Sequence, residues 1–267
     1  MNKFISKTSE YLKYVFVDEY SLPNHSKLDI SNTGQITYSF VSNGIVLSDH
    51  KKPTSIIKYL TLFMLYDSYL ENKYGYLNDP NYDSRFKKLP EDTIITQIEK
   101  EFYCVLLVLR NAIIHHLSLL EESNDRTSVE YQHGKSTFAI DINFESLKLI
   151  TSFVAHRLEE KVINTHYTER FLKEYYKSTF MGINRLIYRN NNRKILNCKQ
   201  WNFPLNRNYI IISENADIER VAPILRECDL FNKTDYVLIT QDAQFVIPSC
   251  EYQGIDKMLL VETPYFA

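Results

Sequence analysis

The sequence predicts a mostly α-helical protein: a bundle of four or five helices with inserted β-hairpins and a small C-terminal α/β appendage. Across residues 51–194 the apolar residues recur at the three- and four-residue spacing of amphipathic helices. Glycine occurs only six times in 267 residues, which counts against glycine-rich phosphate loops and dinucleotide-binding folds. Twenty tyrosines and 15 phenylalanines indicate a core that depends heavily on aromatic packing.

Residues 1–50 are predicted to form an N-terminal helix followed by a β-hairpin. Polar and apolar residues alternate at helical spacing over residues 3–19. Two runs with strand-like alternation then flank Asn43-Gly44, a dipeptide that favours the tight turn of a hairpin.

Residues 51–194 are predicted to form the helical bundle, because most of this stretch has helical periodicity broken only by turn-forming residues. Its elements, in order, are a helix from Pro53 to about Lys73, a loop over 78–92, a long helix over 92–122, a hairpin turning at His133-Gly134, and two helices over about 143–163 and 167–190.

Residues 195–267 are predicted to form a small acidic α/β appendage. Four short strand-like runs surround one amphipathic helix in this segment. Residues 205–267 carry ten acidic and five basic side chains, whereas the preceding residues carry a small positive excess.

The composition also limits the chemistry and the cell compartment. The four cysteines include no CxxC pair, and no HExxH or paired zinc-ligand pattern occurs, so we expect no metal and no cofactor. No signal-peptide core and no apolar run of about twenty residues is present. We therefore expect a reduced, cytoplasmic protein with no membrane partner.

The long helix over 92–122 carries the one motif that points to a function. Advancing about 100° per residue places Asn111 and His115 on one face as an i, i+4 pair, with Arg110 beside them. The same geometry places His116 near the centre of the opposite, apolar stripe, where a packed core histidine is expected.

The face that carries Asn111 and His115 is itself apolar, because Cys104, Leu107 and Val108 share it. A helix that is apolar nearly all round is buried on both sides. With few helices in the chain, we expect a second copy of the protein to supply part of that burial. Polar groups in such a surface are costly unless something binds them, so a functional site is expected here.

The string Arg110-Asn111 to His115, an RNxxxH motif inside a long central helix, resembles the signature of the HEPN superfamily. The resemblance covers about residues 50–190. It implies a helical bundle that forms a homodimer with the motif helices facing each other. Many members are metal-independent endoribonucleases of prokaryotic defence, toxin–antitoxin and CRISPR-associated systems, so the resemblance implies an RNA substrate, with tRNA or mRNA as candidates, and an antitoxin or regulatory protein as a further partner.

RNA cleavage without a metal requires a base for the 2′-hydroxyl, stabilisation of phosphate charge and an acid for the leaving oxygen. We expect His115 to serve as base or acid and Arg110 to hold the phosphate. Asn111 would orient His115 or bind RNA. Two copies facing each other would form a composite site, and the resemblance implies 2′,3′-cyclic phosphate and 5′-hydroxyl products. If the protein is such an enzyme, cleavage in EDTA is expected to be lost in His115→Ala and kept in His116→Ala.

Other interpretations of the motif remain open at this point. Arg110 could form a salt bridge with Asp67 or Glu71 on the preceding helix, and His115 could make an interface hydrogen bond without chemistry. The protein would then be a non-catalytic dimerisation or regulatory module that binds a nucleotide or a protein, or an unrelated helical structural protein.

The junction between bundle and appendage, residues 185–199, is basic and contains no acid. Such a strip fits the electrostatic requirements of RNA binding, and an exposed, charged helix end explains it equally well. Its predicted RNA-binding residues are Arg185, Arg189, Arg193 and Lys194.

Overall fold

The computed structural model describes residues 26–40, 56–75, 79–123, 125–159, 165–198, 208–213, 217–239, 244–247 and 249. The chain divides into two compact units. The first comprises Met1–Leu22, Gly44–Glu160 and Leu172–Cys198, and the second comprises Pro23–Asn43, Lys161–Phe171 and Lys199–Ala267. The helix predicted over residues 3–19 and the turn at Asn43-Gly44 lie outside the described residues.

The prediction of a mostly α fold is wrong, because the described residues contain two five-stranded sheets in addition to six α-helices. The protein therefore has an α/β architecture. The helices are α1 (Ile56–Tyr74), α2 (Tyr82–Lys88), α3 (Ile94–His115), α4 (Phe144–Glu159), α5 (Thr165–Met181) and α6 (Asp217–Glu227).

The sheet of the first unit has the strand order β3-β4-β5-β6-β7 and is antiparallel throughout. Its strands are β3 (Glu121–Glu122), β4 (Arg126–His133), β5 (Ser136–Asn143), β6 (Ile183–Tyr188) and β7 (Asn191–Asn192). The predicted hairpin is confirmed: β4 and β5 pair along their full length, with Gly134 and Lys135 in the turn. Gly134 has φ +61°, a conformation that glycine adopts at little cost.

Strand β6 is where the helical prediction fails. Residues 167–190 have helical spacing, but the helix ends at Met181 and the chain returns along β5 as an antiparallel strand. Leu186 and Tyr188 are buried on the inner face of this strand. Gly182 makes the turn possible, because a Cβ at this position would overlap the side chains of Ser146 and Asn143.

The helical part of the first unit packs around an aromatic core, as the composition predicted. The rings of Phe102 on α3 and Phe153 on α4 stack with centroids 3.7 Å apart. The largest fully buried side chains here are Tyr66, Tyr103, Tyr175, Tyr176, Phe63, Phe102 and Phe153.

The second unit contains the other sheet, in the order β10-β9-β8-β1-β2. Its strands are β1 (Ser26–Ile30), β2 (Ile36–Phe40), β8 (Asn208–Ser213), β9 (Thr234–Ile239) and β10 (Gln244–Ile247). Residues 1–50 and 195–267 are predicted to form separate segments. In the structure β1 pairs in parallel with β8, so strands from both segments belong to one sheet. The shared core consists of Leu28, Ile210, Ile212, Val221, Leu225, Tyr236 and Ile247.

We predict that Gly182→Ala lowers the free energy of unfolding by about 2 kcal/mol or more, because the added methyl group cannot be placed without moving the α5–β6 turn. Gly134→Ala is the matched control. Its Cβ meets open space and costs only about 1 kcal/mol of left-handed backbone strain. Urea unfolding of both variants measures the difference, and an equal loss in the two would contradict the packing argument.

Candidate active site

Helix α3 carries the RNxxxH motif and ends at its histidine. The helix begins at a capping box, in which the Thr93 side chain accepts from the Thr96 N–H and the Thr96 side chain accepts from the Thr93 N–H. At the other end His116 leaves the helical conformation, with φ −138° and ψ 30°. The helix predicted to reach residue 122 therefore stops seven residues earlier, and a short 3-10 turn, Leu117–Leu119, follows.

The end of α3 opens into a cleft of about 400 Å³. The three motif residues Arg110, Asn111 and His115 all line this cleft. Its other walls come from the segment around α2, the β4–β5 hairpin and the end of β6. The remaining lining residues are Pro80, Asn81, Tyr82, Asp83, Leu107, His116, Tyr131, His133, Phe138, Tyr188 and Arg189.

Arg110 is held in place without an ion pair among the described residues. Its Nη1 donates to Oδ1 of Asn111 at 2.8 Å, and its guanidinium lies 4.9 Å from the ring centre of Tyr82. The acids considered as its partners, Asp67 and Glu71, pair instead with Arg85 at 2.5 and 3.2 Å. The cation–π contact fixes the guanidinium at the cleft, and no carboxylate of the described residues forms an ion pair with it.

The side chain of Asn111 accepts a hydrogen bond from Arg110 and also acts on Tyr131 of β4, because it opposes the rise in the pKa of that hydroxyl. Tyr131 in turn donates to the backbone oxygen of Val108 at 3.2 Å. Burial raises the pKa of Tyr131 and outweighs the opposing effect of Asn111, so the hydroxyl keeps its proton and its hydrogen bond to Val108 ties β4 to α3.

Two further histidines, His116 and His133, also line the cleft. Helical periodicity alone does not predict that they lie there. His116 is half-buried, and its ring stacks on that of Tyr131 with centroids 4.5 Å apart and planes 17° apart. His133 is the exposed last residue of β4. The expectation that His116 lies in the apolar core assumes a helix through residue 122. Leu117 and Leu120 continue the apolar spacing of the helix, so the sequence gives no signal that the helix ends at His115.

Asp83 and Arg189 form an ion pair on the cleft wall, with Nη2 of Arg189 2.6 Å from the carboxylate. The hydroxyl of Tyr188 also donates to Asp83 at 2.5 Å, and Lys87 lies 3.0 Å away. Burial pushes the pKa of Asp83 upward, but these hydrogen bonds and the charge of Arg189 outweigh it, and the net pKa is lowered. Asp83 is therefore a carboxylate at neutral pH.

The four residues predicted to bind RNA do not form one strip. Arg185 lies on the exposed side of β6 and pairs with Glu130, and Arg193 pairs with the buried Glu101. Lys194 is exposed beyond β7. Of the four, the cleft contains only Arg189.

The second apolar face of α3 is covered by this chain's own sheet. Cys104, Leu107 and Val108 are almost fully buried, and α3 contacts strands β5 and β6. The burial that suggested a second copy of the protein is therefore supplied within one chain.

No family model, curated protein or solved structure matches the chain. Within the described ranges, no group of three His, Cys, Asp or Glu side chains is placed to hold a metal ion. In the same part of the chain, no helix has the length and apolar character needed to cross a membrane.

We predict that Asp83→Asn destabilises the protein by about 1–2 kcal/mol at pH 7 and much less in acid. Because the folded pKa of Asp83 is lowered, its stabilising contribution is present above the unfolded value of about 3.9 and is lost as the pH falls through the folded value. Urea unfolding at pH 7 and pH 3 tests this.

Glu130→Gln is the control for the Asp83 experiment. It removes the exposed ion pair with Arg185 and should change stability by less than about 0.5 kcal/mol. An Asp83→Asn loss of equal size at both pH values would show that the ionised carboxylate is not what stabilises this wall.

Proposed function

We propose that the cleft at the end of α3 binds RNA and cleaves it without a metal ion, by attack of a ribose 2′-hydroxyl on the adjacent phosphate. The observation that carries the proposal is the convergence of Arg110, Asn111 and His115 on one open cleft, together with additional histidines and Arg189. The resemblance of the RNxxxH string to HEPN endoribonucleases supports the same chemistry.

Arg110 is proposed to hold the scissile phosphate. A guanidinium offers two parallel N–H groups to two phosphate oxygens and stabilises the charge that develops on them. The ring of Tyr82 and Oδ1 of Asn111 fix the orientation of this guanidinium. No carboxylate from the described residues competes for it, which leaves its charge available to a phosphate.

His115 is proposed to transfer a proton, either from the 2′-hydroxyl or to the leaving 5′-oxygen. Its side chain is exposed at the cleft, where a substrate can reach it. An imidazole can either accept or donate a proton in a reaction step, so it can serve as base or as acid.

Arg189 is proposed to provide a second positive charge for a neighbouring phosphate. It is paired with Asp83, so a phosphate must share or displace that carboxylate. This pairing makes Arg189 a weaker ligand than Arg110, and we assign it to binding rather than to the reacting phosphate.

We predict that purified protein cleaves single-stranded RNA in EDTA and leaves a 2′,3′-cyclic phosphate and a 5′-hydroxyl. His115→Ala should reduce the rate by about 100-fold or more, and Arg110→Ala by a similar factor. A 2′-deoxy substitution at the cut site should block cleavage because it removes the nucleophile. Denaturing gel electrophoresis and mass spectrometry of the product ends provide the readout.

Arg185→Ala is the matched control, since Arg185 is an exposed arginine of the first unit outside the cleft. Its rate should stay within about threefold of wild type. RNA that binds the cleft but is not cut would identify a binding module instead, and cleavage that requires a divalent cation would contradict the proposed mechanism.

We also predict that one chain contains a complete site. An equimolar mixture of Arg110→Ala and His115→Ala proteins should then regain no activity, because neither chain has all of the required groups. Recovery toward one quarter or one half of the wild-type rate would instead indicate a composite site built from two copies, as in the homodimer that the resemblance implies.

A further inference from the structure

The histidines at the end of α3 form a close pair that the helix geometry would otherwise separate. Consecutive residues of an α-helix point about 100° apart. Because the backbone leaves the helix at His116, both side chains line the same cleft. Their ring centroids lie 6.3 Å apart, with the ring planes inclined by 67°.

We infer that His115 and His116 are the two proton-transfer groups of a single-chain site for RNA transphosphorylation. This inference rests on the proposed function and adds a second catalytic residue to it. A hydrogen bond between an imidazole nitrogen and an oxygen spans about 2.9 Å. Rings separated by 6.3 Å can therefore each reach a different oxygen around one phosphate.

His116 is better fixed for this role than the third histidine of the cleft. Its ring lies against Tyr131, whose hydroxyl is itself held by a hydrogen bond to the backbone oxygen of Val108. His133, at the exposed end of β4, makes no side-chain hydrogen bond or ring contact with the described residues.

The two imidazoles account for both proton transfers of the reaction. One neutral imidazole removes the proton from the 2′-hydroxyl while the 2′-oxygen forms a bond to phosphorus. The bond from phosphorus to the 5′-oxygen breaks, and the other ring, as imidazolium, gives its proton to that oxygen. The products are a 2′,3′-cyclic phosphate and a 5′-hydroxyl, and no oxidation or reduction occurs.

The experiment compares two substrates that differ only in the leaving group: a ribonucleotide dimer, and a nucleoside 3′-(p-nitrophenyl phosphate), whose leaving group departs as a stable anion. His115→Ala and His116→Ala should each reduce cleavage of the dimer by about 100-fold or more. One of the two variants, the one that lacks the acid, should recover to within about tenfold of wild type on the nitrophenyl substrate, because that substrate needs no acid.

His116→Phe separates proton transfer from packing, since phenylalanine can keep the stack on Tyr131 but has no ring nitrogen. It should be as inactive on the dimer as His116→Ala while keeping the wild-type melting temperature. Glu130→Gln, outside the cleft, should stay within about threefold of wild type. Near-normal activity of His116→Phe with an inactive His115→Ala would overturn the inference and leave the proposed function intact.

A measurement that does not depend on turnover tests the same pair. Inorganic phosphate is titrated into the protein while the imidazole carbon-bound protons are followed by NMR. The signals of His115 and His116 should shift along one binding curve, and Arg110→Ala should weaken that curve. A shift of His115 alone would overturn the pairing, and the absence of any cleavage by a protein that binds phosphate would count against the proposed function itself.

Discussion

Helix α3 is buried on both of its faces, and the rest of the first unit must accommodate that burial. The helix takes Glu99, Lys100 and Glu101 into the interior, where an unpaired charge costs several kcal/mol. Each of these charges has a partner from a different element. Glu99 pairs with Lys73 and Arg157, Lys100 with Glu91, and Glu101 with Arg193. The buried charges thus determine which segments can lie against the helix and in which register.

Local patterns in the sequence predict those parts of the fold that depend on neighbouring residues. The apolar spacing of α3 and the tight turn between β4 and β5 are of this kind. Strand β6 is not, because Ile183–Tyr188 has apolar spacing that suits a helix as well as a strand, and only pairing with the distant β5 decides between them. For the same reason the sequence could not show that the second face of α3 is covered by a sheet of the same chain.

The sequence likewise predicts only some of the residues of the candidate site. Arg110, Asn111 and His115 are detectable from the sequence because their spacing along one helix is regular. His116 could not be assigned, since its position depends on where the helix ends, and helix ends depend on the residues that pack there. The residues that face the motif across the cleft come from α2 and two hairpins, and no spacing rule connects segments so far apart in the chain.

The turn between β6 and β7 carries Arg189 at the cleft wall. Arg189 and Asn190 both have positive φ, which is costly for residues other than glycine. Asn190 compensates through hydrogen bonds to both backbone groups of Thr137 and to the oxygen of Lys135. Only the tip of this turn depends on exposed hydrogen bonds and on the Arg189–Asp83 ion pair, because the preceding Tyr188 is buried against Phe86 and Phe138. Exposed hydrogen bonds open at a lower free energy than a packed core, so warming should release the tip that carries Arg189 while Tyr188 and the helices remain packed.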